Sequence, residues 1–219
     1  MAQIFSPQIN AVLRLTSLVG AAILIIGVTA VVQYDWSAWN SEEEIAPSQP
    51  VPFSHEHHVS GLGIDCRYCH TSVEVSSSAG IPSTHTCMSC HSQVWTESEM
   101  LAPIRKSYRT EQPIQWNRVY DLPDYVYFNH SVHVNKGVGC ETCHGRVDQM
   151  PLIRKANSLY MKWCLDCHRS PEQYLRPPEH IYTFGYDLPD QKQRRVGQRL
   201  IEKLNINVRP LDDCSVCHR

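Results

Sequence analysis

The first apolar segment of the chain is longer than any other. Residues 15–32 form a run of 18 residues without a charged side chain, rich in Leu, Ile, Val, Ala and Gly. A run of this length is just enough to span a bilayer, and residues 11–13 extend it past Arg14, whose long side chain can reach the interface. Tyr34 and two tryptophans follow at once, as at a membrane surface. The pattern predicts one transmembrane anchor over residues 11–33.

The residues around this apolar run indicate its orientation. Arg14 is the only charged residue before position 33, and an acidic run occupies 42–44. A positive charge on the N-terminal side favours residues 1–10 in the cytoplasm, with the remainder on the periplasmic side of a bacterial cytoplasmic membrane. A cleaved signal peptide is the alternative, with Val28-Thr29-Ala30 as a passable cleavage site.

Beyond the anchor, apolar positions are scattered and prolines are frequent. Residues 34–52, acidic and containing three prolines, are typical of an interfacial segment and linker. Helical periodicity predicts helices over 96–107 and 191–204. The second has an apolar stripe and a basic face, which indicates a surface helix or, alternatively, a docking face. Residues 119–128 indicate an extended loop. The expected fold class is mainly α with extensive loops.

Residues 53–219 form one predicted domain with an internal repeat. Each copy contains Phe-x-His-x-x-His and then two Cys-x-x-Cys-His motifs, over 53–91 and 128–168. The first motifs of the two copies are 74 residues apart and the second motifs 77. A fifth Cys-x-x-Cys-His motif lies at 214–218. The domain is therefore expected to have two related halves and one additional site.

Composition narrows the chemistry further. The chain has ten cysteines, 12 histidines and 14 prolines but only four phenylalanines. So many cysteines imply a metal or cofactor, and so few large apolar side chains imply that something else fills the interior. The formal net charge is −2, which gives no reason to expect a nucleic-acid partner.

All ten cysteines fall in the five Cys-x-x-Cys pairs, and a histidine follows each pair directly. Two thiols on one edge of a helical turn can form thioethers with the vinyl groups of one porphyrin, and the next histidine can bind its iron. Zinc ribbons, redox-active dithiols and disulfide scaffolds do not require that histidine. The motifs predict five c-type haems on Cys66, Cys69, Cys87, Cys90, Cys140, Cys143, Cys164, Cys167, Cys214 and Cys217, with His70, His91, His144, His168 and His218 as proximal iron ligands.

The Phe-x-His-x-x-His segments predict distal ligands. Each stands seven or eight residues before a Cys-x-x-Cys-His motif, and histidines three residues apart on one helical turn can serve two different haems. We predict distal ligands at His55, His58, His130 and His133. His57 has no counterpart in the second copy and is predicted not to bind iron.

Four distal histidines leave one haem without a sixth ligand. Met150, Met161, His85 and His180 are the alternatives, and the choice between the two methionines stays open. Either methionine could instead be a core residue packed on a porphyrin face. Thioether ligation would raise the potential of that haem above the potentials of haems with two histidines.

The longer motifs resemble the pentahaem cytochrome c subunit of bacterial alternative complex III. The haem-binding core also resembles the smaller cytochromes c7 and c3, in which a Phe-x-His-x-x-His supplies distal ligands. Lys162 stands where the family often has glycine, which is immaterial to haem binding. The resemblance covers most of the chain, including the anchor and residues 115–128, and is carried by the segments Phe53–His58, Leu62–Thr71, Thr86–His91, Asp124–Val134 and Met161–Arg169.

The resemblance implies electron transfer in a membrane quinol:acceptor oxidoreductase. In that family, integral membrane subunits oxidise quinol, and an iron–sulfur subunit and the pentahaem chain relay the electrons. A periplasmic cytochrome c, a copper protein or an attached oxidase accepts them. The family's distal histidines correspond to His55, His58, His130 and His133. The chain would be an electron-transfer subunit that is not catalytic alone.

Other functions fit parts of the pattern. A membrane-anchored multihaem quinol dehydrogenase could feed a periplasmic reductase with only a simple membrane partner. A catalytic multihaem reductase needs an iron with an open distal position, whereas histidines and methionines suffice here to close all five. A structural zinc protein leaves the adjacent histidines unexplained.

Overall fold

The computed structural model describes residues 6–218, and the chain divides into two compact units between Glu43 and Glu44. Within the described residues the fold is helical, without strands, and two isolated antiparallel bridges join Val126 to His218 and Val138 to Leu175. The predicted fold class is confirmed.

Helix α1 (Pro7–Asp35) makes up most of the first unit, followed by the short α2 (Ala38–Ser41). The hydroxyl of Ser6 accepts a hydrogen bond from the Ile9 amide at 3.4 Å, and Pro7 stands in the first turn, which both favour a helix start. None of the apolar window of α1 is buried, and the helix is long and apolar enough to cross a membrane. It extends beyond the predicted 11–33. Residues 1–5 of the predicted cytoplasmic segment lie outside the described residues.

The second unit is built from short helices and single turns. A π-helical turn spans Glu56–Gly61, and 3₁₀ turns span Glu99–Leu101, Val147–Gln149, Pro171–Gln173 and Pro178–His180. All five Cys-x-x-Cys pairs lie on helices, as predicted. The helices are α3 (Cys66–Cys69), α4 (Thr84–His91), α5 (Ala102–Thr110), α6 (His130–Asn135), α7 (Cys140–His144), α8 (Met161–Arg169), α9 (Asp190–Lys203) and α10 (Cys214–Cys217).

The two longer helices predicted for this unit are both present. Helix α9 agrees with the predicted 191–204 to within one residue at each end. Helix α5 begins six residues later than predicted, because Pro103 has to stand in the first turn of a helix. Residues 119–128 contain no helix, as predicted.

Buried apolar residues form two small clusters in the described part of this unit. One contains Val51, Leu101 and Ile104, and Cys87 packs against it. The other contains Val73, Val134 and Ile181, of which Val134 directly follows His133. The core is thus dispersed around the cysteine and histidine motifs.

Helix α9 approaches the turn Pro171–Gln173 very closely. A Cβ atom placed on Gly197 would lie 2.5 Å from the Cα of Glu172. The Gln193 side chain donates hydrogen bonds to the carbonyl oxygens of Glu172 at 3.1 Å and Leu175 at 2.8 Å, and Leu200 is buried. The apolar stripe of α9 is therefore a packed face.

Candidate haem-binding sites

Each Cys-x-x-Cys-His motif defines one candidate site, numbered here in chain order. The cysteines of a pair are three residues apart on a helix, so both thiols lie on the same edge of one turn. All ten cysteines are free of disulfides. The sites are site 1 (Cys66, Cys69, His70), site 2 (Cys87, Cys90, His91), site 3 (Cys140, Cys143, His144), site 4 (Cys164, Cys167, His168) and site 5 (Cys214, Cys217, His218).

The thiols of the central sites are largely buried. Burial raises the pKa of Cys140 to about 11, that of Cys143 to about 12 and that of Cys167 to about 11. With pKa values this high, the three free thiols are neutral at pH 7.

The two Phe-x-His-x-x-His segments have the same geometry. Phe53 stacks on His58 at 4.4 Å between ring centroids, and Phe128 stacks on His133 at 4.5 Å. Phe53 also meets the edge of His55 at 4.9 Å, as Phe128 meets His130 at 4.8 Å. The phenylalanine therefore fixes both imidazoles of its own copy.

Three of these four histidines face the histidine of a Cys-x-x-Cys-His motif. Ring centroids are 6.2 Å apart for His58 and His91, 6.4 Å for His130 and His144, and 6.1 Å for His133 and His168. Two imidazoles on opposite sides of one metal, each with a metal–nitrogen bond of about 2 Å, have ring centres about 6 Å apart. The spacing therefore fits an iron between the two rings of each pair.

Hydrogen bonds orient these imidazoles. The Nδ1 atoms of His58, His130 and His133 each lie 2.8 Å from a backbone carbonyl oxygen. Four motif histidines make the same kind of contact, His70 to Gly80 and His168 to Leu211 at 2.7 Å, His91 to Val94 and His218 to Tyr125 at 3.1 Å. A proton donated from Nδ1 leaves the Nε2 lone pair free for a metal.

His55 and His144 are held by burial instead. Burial, followed by the neighbouring His70 and His58, lowers the pKa of His55 to about 4. Burial, with His130 as the largest charged neighbour, lowers the pKa of His144 to about 4. Both imidazoles are neutral at pH 7, which is the form that binds iron. His55 Nδ1 is buried without a hydrogen-bond partner.

The remaining histidines lie elsewhere. His57 stacks on Trp95 at 5.9 Å, and His180 packs on Tyr186 at 4.8 Å. The Nε2 of His85 lies 3.5 Å from a carboxylate oxygen of Glu111 in an exposed position. None of the three faces a motif histidine in the described contacts.

The two methionine candidates differ in environment. Met150 is only 2% exposed, and its terminal methyl group lies 3.7 Å from a Cβ position built on Gly145. Met161 is 59% exposed and begins α8, three residues before Cys164.

Comparisons with known proteins identify the family of this chain. A family described as cytochrome c7 and related cytochrome c matches residues 126–219, the stretch that contains sites 3, 4 and 5. The chain is also 32% identical, over 204 residues, to the menaquinone reductase multihaem cytochrome c subunit of Nitratidesulfovibrio vulgaris. This alignment covers 91% of the chain and 90% of that protein. The chain belongs to the multihaem cytochromes c.

The cytochrome transfers electrons, as its family does, and c-type haems are its cofactors. The residues present fit such haems, because free paired thiols recur at all five sites and opposed imidazoles at three of them. Among residues 6–218 no three His, Cys, Asp or Glu side chains are grouped so as to hold a bare metal ion.

Contacts between sites of the first copy and site 3 give part of their spatial order. The Tyr68 hydroxyl of site 1 lies 2.9 Å from the Ser89 hydroxyl of site 2. Cys66 is close enough to Cys140 to contribute to its raised pKa, which puts site 1 beside site 3. The first copy also contacts His130, the predicted distal ligand that faces site 3. The carbonyl oxygen of Ser77, in the first copy, lies within hydrogen-bond distance of His130 Nδ1.

The remaining contacts extend the same order. Cys167 and Cys164 contribute to the raised pKa of Cys143, which puts site 4 beside site 3. Cys217 contributes to the raised pKa of Cys164, which puts site 5 beside site 4. The sites of the cytochrome therefore follow one another as 2, 1, 3, 4 and 5.

A charged network adjoins site 3 of the cytochrome. One carboxylate oxygen of Glu141, between Cys140 and Cys143, accepts hydrogen bonds from Arg176 at 3.1 Å and the Gly185 amide at 3.0 Å. Arg146 lies 3.7 Å from the other oxygen and pairs with Asp148 at 2.7 Å. The side chains of Arg176 and Glu141 are only 10% and 17% exposed.

Neither this charged network nor the position of Tyr120 is predicted by the sequence patterns. Its ring lies 4.3 Å from that of His144, and its hydroxyl accepts a hydrogen bond from the Ala156 amide at 3.1 Å. Burial raises the pKa of Tyr120 to about 12. A single tyrosine outside both repeat copies has no local pattern that could have identified it.

Proposed function

We propose that this cytochrome carries five covalently bound haems and relays electrons as the anchored subunit of a membrane quinol:acceptor oxidoreductase. The observation that carries the proposal is the recurrence of paired imidazoles with ring centres 6.1–6.4 Å apart beside the cysteine pairs. The relative from N. vulgaris is itself named as a subunit of a menaquinone reductase, which supports membership in a larger quinone-linked complex.

We assign the iron ligands pair by pair. His58 would serve site 2, His130 site 3 and His133 site 4, each opposite the motif histidine that its ring faces. His55 would serve site 1, since it lies beside His70. These pairs make each of the two histidine turns a shared support for two neighbouring sites.

For site 5 we propose Met161 as the distal ligand. Cys217 of site 5 is close enough to Cys164 on α8 to contribute to its raised pKa, so α8 adjoins site 5. Met161 precedes Cys164 by one helical turn, on the same face of α8. Buried Met150 packs beside Gly145, where site 3 already has two histidines, and is better explained as a core residue.

When bound, the haems supply one-electron chemistry at iron, with potentials set by axial ligands, burial and nearby charge. The chain's own residues hold the sites in the order 2, 1, 3, 4, 5, keep His55 and His144 neutral, orient the other imidazoles by hydrogen bonds or ring packing, and bury the thiols of the central sites. This work requires no catalytic acid, base or nucleophile. Helix α1 would retain the protein at the periplasmic face of the cytoplasmic membrane.

The proposed partners are an iron–sulfur subunit, integral membrane subunits that oxidise quinol, and a periplasmic cytochrome c or copper protein as acceptor. The name of the relative favours a second direction, in which electrons from a periplasmic donor reduce menaquinone. Purification of the native complex tests both directions. We expect the other subunits to co-purify and the complex to reduce a periplasmic acceptor with quinol.

The expected count of covalent haems is five. Intact-mass measurement of the mature chain should show five haem adducts, and potentiometric titration with low-temperature spectra should show one site with thioether ligation. Fewer adducts, or zinc in their place, would contradict the proposal. Faster electron transfer from periplasmic donor to menaquinone than from quinol to acceptor would select the second direction.

Replacement of Glu141 by glutamine should raise the reduction potential of the haem at site 3. The carboxylate stabilises the oxidised iron, so its loss favours the reduced form, by on the order of tens of millivolts. Glutamine keeps an oxygen for the Gly185 amide. Spectroelectrochemical titration should show one of five components shifted upward, whereas exposed Glu202→Gln on α9 should shift none. A downward shift, or equal shifts in both variants, would argue against a tuning role.

A further inference from the structure

Helix α9 carries a row of basic side chains on its outer face. Lys192, Arg195, Arg199 and Lys203 are all exposed, and their spacing of three or four residues places them on one side of the helix. Over a rise of about 1.5 Å per residue, the row is about 16 Å long. We call these four residues the basic stripe.

The stripe is not neutralised by the domain itself. Arg194, on the neighbouring face, pairs with Glu172 at 3.2 Å, but none of the four stripe residues forms an ion pair within the described part of the chain. The whole chain has a formal net charge of −2. Helix α9 carries five basic residues against two acidic ones, Asp190 and Glu202, so positive charge is in excess on this helix.

The stripe lies at one end of the row of sites. Helix α9 packs on Pro171–Gln173, which directly follows α8 and site 4, and Glu172 contributes to the raised pKa of Cys167. The loop after α9 supplies the Leu211 carbonyl oxygen that lies 2.7 Å from His168 Nδ1 and continues into site 5. Helix α9 therefore flanks sites 4 and 5.

We propose that the basic stripe docks a small redox protein whose surface is acidic around its own cofactor, so that electrons pass at sites 4 and 5. This inference rests on the proposed electron relay. Complementary charge raises association rates without requiring a large apolar interface. An anionic membrane surface fits less well, because interfacial helices insert apolar side chains, whereas those of α9 pack inward.

The experiment uses the full-length, haem-loaded cytochrome in detergent, reduced beforehand and mixed rapidly with two probe proteins. An acidic plastocyanin and a basic mitochondrial cytochrome c serve as acceptors at several ionic strengths. One electron leaves the reduced chain and converts the plastocyanin copper from Cu(II) to Cu(I). Neutral benzoquinone serves as an oxidant that does not depend on charged docking.

The variant Arg195→Glu/Arg199→Glu should lower the second-order rate constant with plastocyanin about tenfold at low salt and flatten its salt dependence. The matched control Lys106→Glu/Arg109→Glu makes the same charge change on exposed positions of α5, which packs on α4 beside site 2. The control should stay within about twofold of the unaltered protein. Rates with benzoquinone should be the same in all three proteins.

Three results would overturn the docking proposal. They are equal losses in the two variants, a plastocyanin rate that is insensitive to salt, and loss of binding to vesicles of anionic phospholipid with unchanged plastocyanin rates. The last would assign the stripe to the membrane. A chain that cannot be reduced by dithionite or oxidised by benzoquinone would instead overturn the electron relay itself.

Discussion

Replacement of His58 by alanine should open one additional haem iron per chain to carbon monoxide. The His58 ring faces that of His91 at 6.2 Å, so its removal would leave the iron of site 2 with an empty sixth position. A ferrous haem without its distal ligand binds carbon monoxide, whereas one with two strong axial ligands does not. Carbon monoxide difference spectra of the reduced protein, titrated to saturation, would count the open sites.

The adjacent histidine is the matched control. His57 stacks on Trp95, so His57→Ala should leave the number of carbon monoxide sites as it is in the unaltered protein. If His58→Ala bound no more carbon monoxide than His57→Ala, the assignment of His58 to site 2 would be wrong. An unaltered protein that already binds carbon monoxide at one site would point to site 5 and against Met161 as its ligand.

Replacement of Gly197 by alanine should destabilise the second unit. Alanine is the better helix former by about 1 kcal/mol, but its methyl group would overlap the backbone of Glu172, whose Cα lies 2.5 Å from the built Cβ position. A backbone neighbour cannot turn aside as a side chain can, so α9 has to move away, at a cost of about 1–3 kcal/mol. The denaturation midpoint of the haem-loaded protein should fall accordingly.

Gln198→Ala is the control for this prediction. Gln198 directly follows Gly197 in α9, but its side chain is exposed. Its helix propensity changes little and it meets no new backbone, so the midpoint should stay within about 0.5 kcal/mol of the unaltered protein. Amide hydrogen exchange would show whether the loss is centred on α9. Equal stability of the two variants would mean that α9 is not held against Pro171–Gln173 in solution.

Local patterns in the sequence predicted the parts of the structure that depend on local geometry. The Cys-x-x-Cys-His motifs lie on helices because three-residue spacing suits one turn. The Phe-x-His-x-x-His repeat predicted both histidine turns, and their ring geometry agrees between the copies. The assignment of each histidine to an iron stays a prediction. Helix α5 begins later than the periodicity predicts because Pro103 is tolerated only in the first turn of a helix.

Features that depend on packing between distant segments could not be predicted. Arg176 meets Glu141 across 35 residues, and Tyr120 meets His144 across 24, without any periodic signal. In space the first two sites are exchanged relative to their order in the chain, because site 1 rather than site 2 adjoins the second copy. Periodicity and motif spacing describe one segment at a time and carry no information about such contacts.

The proposed sharing of each histidine turn by two haem sites would have a consequence for the assembly of this protein in the cell. His55 and His58 are attached to one turn, and His130 and His133 to another, so a missing cofactor at one site of a pair loosens the support of its neighbour. Partially loaded chains would then be poorly ordered over half the domain and open to proteases. Maturation would proceed in pairs, with defective intermediates removed before they join a complex.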